Sequence, residues 1–181
     1  MAKKFDEESI KVKASLYERA AEMSLELRKE FFQEIAEELK ANNISLMKFS
    51  KMMNMDYINM KKYIHGKAKS TLETMCVFDI AIHGNAKETL YDDAKKKATK
   101  IRKCFFKKLL EQLKKDNISQ KMLSETIYMD SYNTNKYILG KLNPNIETLY
   151  VFALGSKMEV SVLEQYFKQK KSNSQSLDAS N

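Results

Sequence analysis

The residue types that most often carry out catalysis are scarce in this chain. It contains two histidines, His65 and His83, and two cysteines, Cys76 and Cys104. The cysteines are too far apart for a CxxC pair or a zinc-ligand spacing, and the sequence has no HExxH motif and no glycine-rich phosphate loop. We therefore expect no enzymatic activity, no metal and no cofactor. Both cysteines are assigned to packing in a reducing compartment.

The charge of the chain is more informative than its catalytic residues. The 32 Lys and Arg residues exceed the 24 Asp and Glu residues, which gives a formal net charge of +8 at pH 7. This moderate basic excess favours an anionic partner. The amino-terminal lysines are followed by no apolar run, and the most apolar segment, 75–82, is short and contains Asp79. We expect a soluble, cytoplasmic protein that does not bind membranes.

Composition predicts that helices position these charges. Only 4 Gly and 1 Pro are present, alongside many Lys, Glu, Leu, Met and Ala residues. A sheet protein needs many turns, and this sequence has few residues that favour them. We therefore predict an all-α fold.

The chain also repeats itself. When the sequence is shifted by 74 residues, 27–81 aligns with 101–155 without a gap, and 23 of the 55 pairs are identical. We call these segments the first repeat and the second repeat. An ungapped match means that they share helix and turn lengths, so we expect the same fold twice in tandem. Two copies favour a duplicated globular domain over a solenoid, which usually needs three or more units.

Each repeat has the pattern of four helices. The first helices have matching apolar faces: Phe31, Phe32, Ile35 and Leu39, then Phe105, Phe106, Leu109 and Leu113. Capping residues precede the second and third helices: Ser45, Asp56, Ser119 and Asp130. The third helices are predicted to end in left-handed glycines, Gly66 and Gly140. The fourth helices are predicted to begin near Thr71 and Asn145.

The remaining segments complete the predicted domain organisation. The predicted parts are an N-terminal helical extension at 1–26, a first domain at 27–91, a helical linker at 92–100, a second domain at 101–167 and a disordered tail at 168–181. In the extension, Ile10, Ala14, Tyr17 and Ala21 have helical spacing, which predicts an amphipathic helix that packs within the chain or forms a homodimer. No Gly or Pro lies within 86–115, so we predict one helix running from the first domain into the second.

The segment from Ile44 to Met75 reads I-S-x-x-x-F-S-x-x-M-N-M-D-x-x-x-M-x-x-Y-I-x-G-K-x-x-x-T-L-E-T-M. Its second copy reads I-S-Q-x-x-L-S, then M-D, then K-Y-I-x-G-K-x-N-P-x-I-E-T-L. Both resemble the lambda-repressor-like (Cro-like, XRE-type) helix-turn-helix family, over about two thirds of the chain. The resemblance implies two tandem helix-turn-helix domains, each of which presents its third helix to the DNA major groove.

The resemblance also implies which residues meet DNA. The base-reading positions are Tyr57, Ile58, Asn59 and Lys62, then Ser131, Tyr132, Asn133 and Lys136. The phosphate-contacting positions are Ser45, Lys67 and Lys69, then Ser119, Gln120, Lys141 and Asn143. Leu46 stands where the family has a polar residue. In the second repeat, Tyr128 replaces the usual turn glycine, which predicts a looser turn, and Thr134 replaces a buried apolar residue.

Two functions remain open from the sequence. The first is a sequence-specific DNA-binding regulator of transcription, a repressor that occupies an operator on double-stranded DNA. The second is a protein-interaction module, such as a phage or plasmid inhibitor or an antitoxin-like partner, which keeps the fold without needing DNA. The two differ in the effect of salt, because neutralising phosphates makes DNA binding weaken steeply as salt rises.

Overall fold

The computed structural model of the chain describes residues 7–84 and 87–168. Within these two ranges the fold is all-helical, as the composition predicted, and contains no strand. The helices are α1 (Glu7–Ala41), α2 (Leu46–Met52), α3 (Tyr57–Ile64), α4 (Leu72–His83), α5 (Leu90–Lys115), α6 (Gln120–Thr126), α7 (Ser131–Ile138), α8 (Ile146–Gly155) and α9 (Ser161–Lys168). None of them is long and apolar enough to cross a membrane.

The short helices begin at the predicted capping residues. Ser45 accepts a hydrogen bond from the backbone N–H of Lys48 at 3.2 Å, and Ser119 accepts one from Met122 at 3.1 Å. Asp56 and Asp130 cap α3 and α7 in the same way. Thr71 and Asn145 cap α4 and α8. Each cap satisfies a backbone donor in the first turn that has no partner within its own helix.

The third helix of each repeat ends in the same glycine turn. Gly66 and Gly140 have φ of 67° and 70°, in the left-handed region that the sequence predicted. The turn that follows α6 also matches its counterpart after α2. Tyr128 has φ of 52°, close to the 46° of Asn54, and Met129 N–H donates to Ser124 O at 2.9 Å. The prediction of a looser turn at Tyr128 is therefore wrong, because the backbone bonds that close it are complete.

Aromatic side chains from the long and short helices form the core of each repeat. In the first repeat, Phe32 lies edge-on to Phe78 at 5.0 Å between ring centroids, and Tyr63 lies edge-on to Phe78 at 5.8 Å. Phe106 and Tyr137 make the equivalent contacts with Phe152. Both tyrosines are half-buried, in keeping with the apolar positions that they occupy in the pattern.

Helix α1 corrects the predicted boundary at residue 26. It runs unbroken from Glu7 to Ala41, because the apolar stripe of its amino-terminal half continues into that of the first repeat. Ala20 is fully buried, whereas Ala14 and Ala21 of the predicted face are exposed. Its carboxy-terminal part contacts α3 and α4 of its own repeat, but it packs most extensively against α8 of the second repeat.

Helix α5 corrects the second boundary. The predicted helix is present in part: α5 runs unbroken from Leu90 through 92–100 to Lys115, but it is not continuous with α4, which ends at His83. Helix α5 packs against α4. Lys97 of α5 pairs with Asp79 of α4, which is buried. The predicted helical linker at 92–100 thus lies within α5, and its Ala94 and Ala98 are buried. Of the predicted disordered tail at 168–181, Lys168 is the last residue of α9, and 169–181 lies outside the described residues.

Candidate nucleic-acid interface

Helix α3 exposes most of the side chains predicted to read bases. Met60 is fully buried and fixes the inward face of this eight-residue helix. The opposite face therefore projects Ile58, which is 62% exposed, together with the exposed Asn59 and Lys62. Tyr57 is the exception, since it is half-buried and packs against the core.

Helix α7 is oriented in the second repeat as α3 is in the first, but it exposes different side chains. Thr134 points inward at the position of Met60, and Tyr132 is 67% exposed at the position of Ile58. Lys136 is half-buried and lies over the Tyr132 ring, with its Nζ 4.0 Å from the ring centroid. The Ser131 hydroxyl lies 2.8 Å from the Ser124 hydroxyl of α6. Asn133 is exposed, like Asn59.

The segments around these helices hold the predicted phosphate contacts in fixed positions. Ser45 and Ser119 use an oxygen lone pair for capping, which leaves each hydroxyl proton able to donate. Lys67 and Lys141 are exposed directly after the glycine turns. The backbone N–H of Lys67 donates to Lys62 O at 2.7 Å, and that of Lys141 donates similarly within its repeat, at 2.8 Å. This hydrogen bond is part of the Schellman motif, which fixes the backbone position of each lysine.

The remaining three predicted phosphate contacts lie at positions where the two repeats have different residues. Gln120 and Asn143 are exposed. Leu46, at the position of Gln120, is half-buried and lines an apolar groove with Phe32 and Ile64, so packing explains why this position is not polar. Lys69 is exposed, but its Nζ lies 2.6 Å from Glu147 Oε1 in the second repeat.

Sequence reasoning missed a cluster of charges between the repeats. Arg28 is buried, and its Nε donates to Ser70 O at 3.1 Å while its guanidinium lies 3.8 Å from Glu147. Arg102 repeats the arrangement, with a bond to Pro144 O and an ion pair with Glu73 at 2.6 Å. The available signal was that both arginines and both glutamates are identical in the alignment of the repeats.

Burial and hydrogen bonding shift the pKa values of Arg28 and Glu73 in this cluster. Desolvation lowers the pKa of Arg28, and the charge of Glu147 opposes that shift. For Glu73, burial on its own raises the pKa, but the hydrogen bond from Arg102 and further hydrogen bonds outweigh it, so that the pKa is lowered overall. The hydrogen bond from Arg102 therefore stabilises the charged form of the Glu73 carboxyl.

No protein-family model matches the chain, and no curated protein or solved structure is significantly similar to it. The described residues contain no group of three or more His, Cys, Asp or Glu side chains placed to hold a metal ion. Cys76 is buried, and burial raises the pKa of its thiol to about 12. The geometry thus offers two exposed helix faces that carry amides and lysines, which can donate and accept hydrogen bonds.

Proposed function

We propose that this protein is a sequence-specific regulator of transcription that binds double-stranded DNA, and that it represses by occupying an operator. In this proposal each repeat is a helix-turn-helix domain of the lambda-repressor-like kind. The observation that carries it is the outward projection of Asn59, Lys62 and Asn133 from two short helices whose other faces are buried. A helix presented in this way fits the major groove of B-form DNA.

The chemistry of the exposed faces suits base edges. Asn59 and Asn133 can each pair with adenine through one acceptor and one donor, and Lys62 can donate to guanine. Ile58 and Tyr132 offer apolar contact to a thymine methyl group. Lys136 is held over the Tyr132 ring, so these two side chains would enter the groove as a unit.

The flanking groups suit the sugar-phosphate backbone. Lys67 and Lys141 sit on rigid turns next to the reading helices, and the hydroxyls of Ser45 and Ser119 can donate to phosphate oxygens. Lys69 would contact phosphate only by leaving Glu147. We therefore expect Lys67 to contribute more than Lys69 to affinity.

A second candidate function is the binding of a protein partner through the same face. Ile58, Met47 and Met122 are large apolar side chains that are 62%, 50% and 51% exposed. Large exposed apolar side chains can contribute to a protein interface. Such an interface would tolerate salt, whereas DNA binding weakens with a log–log slope of about −0.9 for each phosphate neutralised.

The first experiment selects bound duplexes from a random DNA pool with the full chain. Affinity for the selected duplex is then measured between 50 and 200 mM salt. Over this range, a protein with six to ten phosphate contacts loses about 10³- to 10⁵-fold in affinity. An enriched motif and a steep salt dependence are expected. Repression is then tested by placing the motif over a reporter promoter. Lys11→Ala, which removes an exposed lysine outside both repeats, is the matched control for substitutions of the proposed DNA-contacting lysines. Failure of any duplex to be enriched would refute the proposal.

A further inference from the structure

The contacts between the two repeats are reciprocal. Helix α1 of the first repeat packs on α8 of the second, and α5 of the second repeat packs on α4 of the first. Individual bonds follow the same rule. The Tyr17 hydroxyl donates to Ile127 O at 3.1 Å, and the Tyr91 hydroxyl donates to Met53 O at 3.0 Å. Tyr91 and Ile127 lie 74 residues after Tyr17 and Met53, so each bond is the counterpart of the other.

The two arginine–glutamate ion pairs obey the same reciprocity. Arg28 of the first repeat pairs with Glu147 of the second, and Arg102 of the second pairs with Glu73 of the first. The alignment extends into the segments that carry these contacts. Before the first repeat, 16–26 corresponds to 90–100, and three residues are identical, namely Leu16 with Leu90, Tyr17 with Tyr91 and Ala20 with Ala94.

Reciprocity of this kind distinguishes a twofold arrangement from a head-to-tail one. When residue i of one unit contacts residue j of the other, a twofold axis also brings j of the first unit to i of the second. A head-to-tail arrangement produces only one of the two contacts. Because both members of each pair are present, the two repeats are related by an internal pseudo-twofold axis.

The loops that follow the reading helices lie close to this axis. Lys69, from the loop after α3, reaches Glu147, which lies in the first turn of α8 directly after the loop that follows α7. A twofold axis places related points at the same level along its length. Helices α3 and α7, which the axis relates to each other, therefore lie at the same level along it.

We infer that a single chain binds one operator as an internal pseudo-dimer and reads two half-sites in inverted orientation. This inference rests on the proposed function and adds the geometry of the DNA site. A duplex has local twofold axes, so a protein with a twofold pair of reading helices is matched by an inverted repeat. One chain suffices, because Tyr17 and Ala20 of the amino-terminal helix are already used within the chain.

The half-sites are not identical, because the reading helices differ. Asn59 and Lys62 recur as Asn133 and Lys136, whereas Ile58 is replaced by Tyr132. The operator is therefore an imperfect inverted repeat. Bases read by the two asparagines are symmetric about its centre, and bases read by Ile58 and Tyr132 break the symmetry.

The test starts from the duplex selected by the full chain. Its two half-sites are arranged as an inverted repeat, as a direct repeat, and as an inverted repeat with five extra base pairs, which is about half a helical turn. We expect binding to the second and third arrangements to be weaker by more than about tenfold, since contacts to one half-site are lost. Native mass spectrometry of the complex should give one chain per duplex.

Matched variants identify which repeat reads which half. Asn59→Ala should lower base discrimination by about 5- to 150-fold at one position, and Asn133→Ala should do so at the symmetry-related position in the other half. If no duplex is enriched, the proposed function fails and the inference with it. If a duplex is enriched but its motif is a direct repeat or a single half-site, or two chains bind it, only the inference is overturned.

Discussion

At the scale of single residues, the proposed interface separates two kinds of lysine. Lys62 projects from the middle of the exposed face of α3, whereas Lys67 sits on the turn that follows it. A side chain on the reading face can meet base edges, and one on the turn can meet phosphates. Base contacts carry sequence information and phosphate contacts do not.

Lys62→Ala should therefore relax base preference, while Lys67→Ala should lower affinity for every duplex alike. The selected motif should lose about 1–3 kcal/mol of discrimination at one position with Lys62→Ala. With Lys67→Ala the log–log slope of affinity against salt concentration should become shallower by about 0.9, the contribution of one phosphate contact. Affinities for the selected duplex and its single-base variants measure both effects. Equal losses in the two variants would contradict this division of roles.

Thr134 has a buried hydroxyl that we expect to destabilise the second repeat. It is 1% exposed, and its Oγ1 has no hydrogen-bond partner in the part of the chain that the structure describes. A buried polar group without a partner costs about 1–3 kcal/mol. Thr134→Val removes the hydroxyl and keeps the shape, so the free energy of unfolding should rise by about 1 kcal/mol.

Urea denaturation measures this change. The control is Thr126→Val, since the Thr126 hydroxyl is exposed and donates to Met122 O at 2.9 Å. That substitution should change the free energy of unfolding by less than about 0.5 kcal/mol. Unchanged or reduced stability in Thr134→Val would mean that the hydroxyl is satisfied in solution.

At the scale of elements, the sequence determined helix ends more reliably than helix extents. Caps such as Ser45 and Asp56, and turns such as the one at Gly66, depend on local bonds between near neighbours, so their signals are local too. The continuity of α1 across residue 26 and the break between α4 and α5, both missed from the sequence, depend on packing between distant segments. No sequence pattern within 86–89 predicts that α5 packs against α4.

The glycine turns give a prediction at this scale. At both Gly66 and Gly140 an added Cβ would meet nothing within 4 Å, so the cost of alanine is conformational and not steric. Gly66→Ala and Gly140→Ala should each lower the free energy of unfolding by about 1–2 kcal/mol, because a left-handed φ is unfavourable for a side chain. Thermal or urea unfolding measures the loss.

Asparagine is the matched control, because it tolerates this conformation better than alanine does. Gly66→Asn should retain most of the stability that Gly66→Ala loses. Similar losses for both substitutions would point to a steric clash instead of backbone conformation.

At the scale of the whole molecule, two matched tyrosine hydrogen bonds join the repeats. Tyr17→Phe and Tyr91→Phe each delete one hydroxyl that donates to the other repeat. Each should lower the free energy of unfolding by about 1 kcal/mol. The two losses should be similar, because the bonds are related by the pseudo-twofold axis. Tyr132→Phe is the control, since that ring is 67% exposed.

Denaturation followed by circular dichroism gives these values. It also tests whether the chain unfolds in one transition, as expected if the repeats form a single cooperative body. A large loss for one tyrosine and none for the other would argue against the pseudo-symmetric interface.

The Arg102–Glu73 pair gives the interface a pH dependence. The folded pKa of Glu73 is lower than its ordinary value of 4.5. Its contribution is therefore complete above pH 4.5 and is lost as the pH falls through the lower folded value. Glu73→Gln should lower the melting temperature at pH 7 and flatten its decline below pH 4.5. Melting curves between pH 7 and pH 3 measure this, and a parallel decline in both proteins would contradict it.

The sequence by itself determined that this protein is helical, that one segment recurs after 74 residues, and where its short helices begin and end. These features depend on local bonds and on the spacing of apolar side chains, which neighbouring residues encode. Only the tertiary structure decided how the two repeats meet. The partners of Arg28, Tyr17 and Lys69 in the second repeat lie 78 to 119 residues away. A contact between such distant segments is selected by packing over the whole molecule and not by any local pattern.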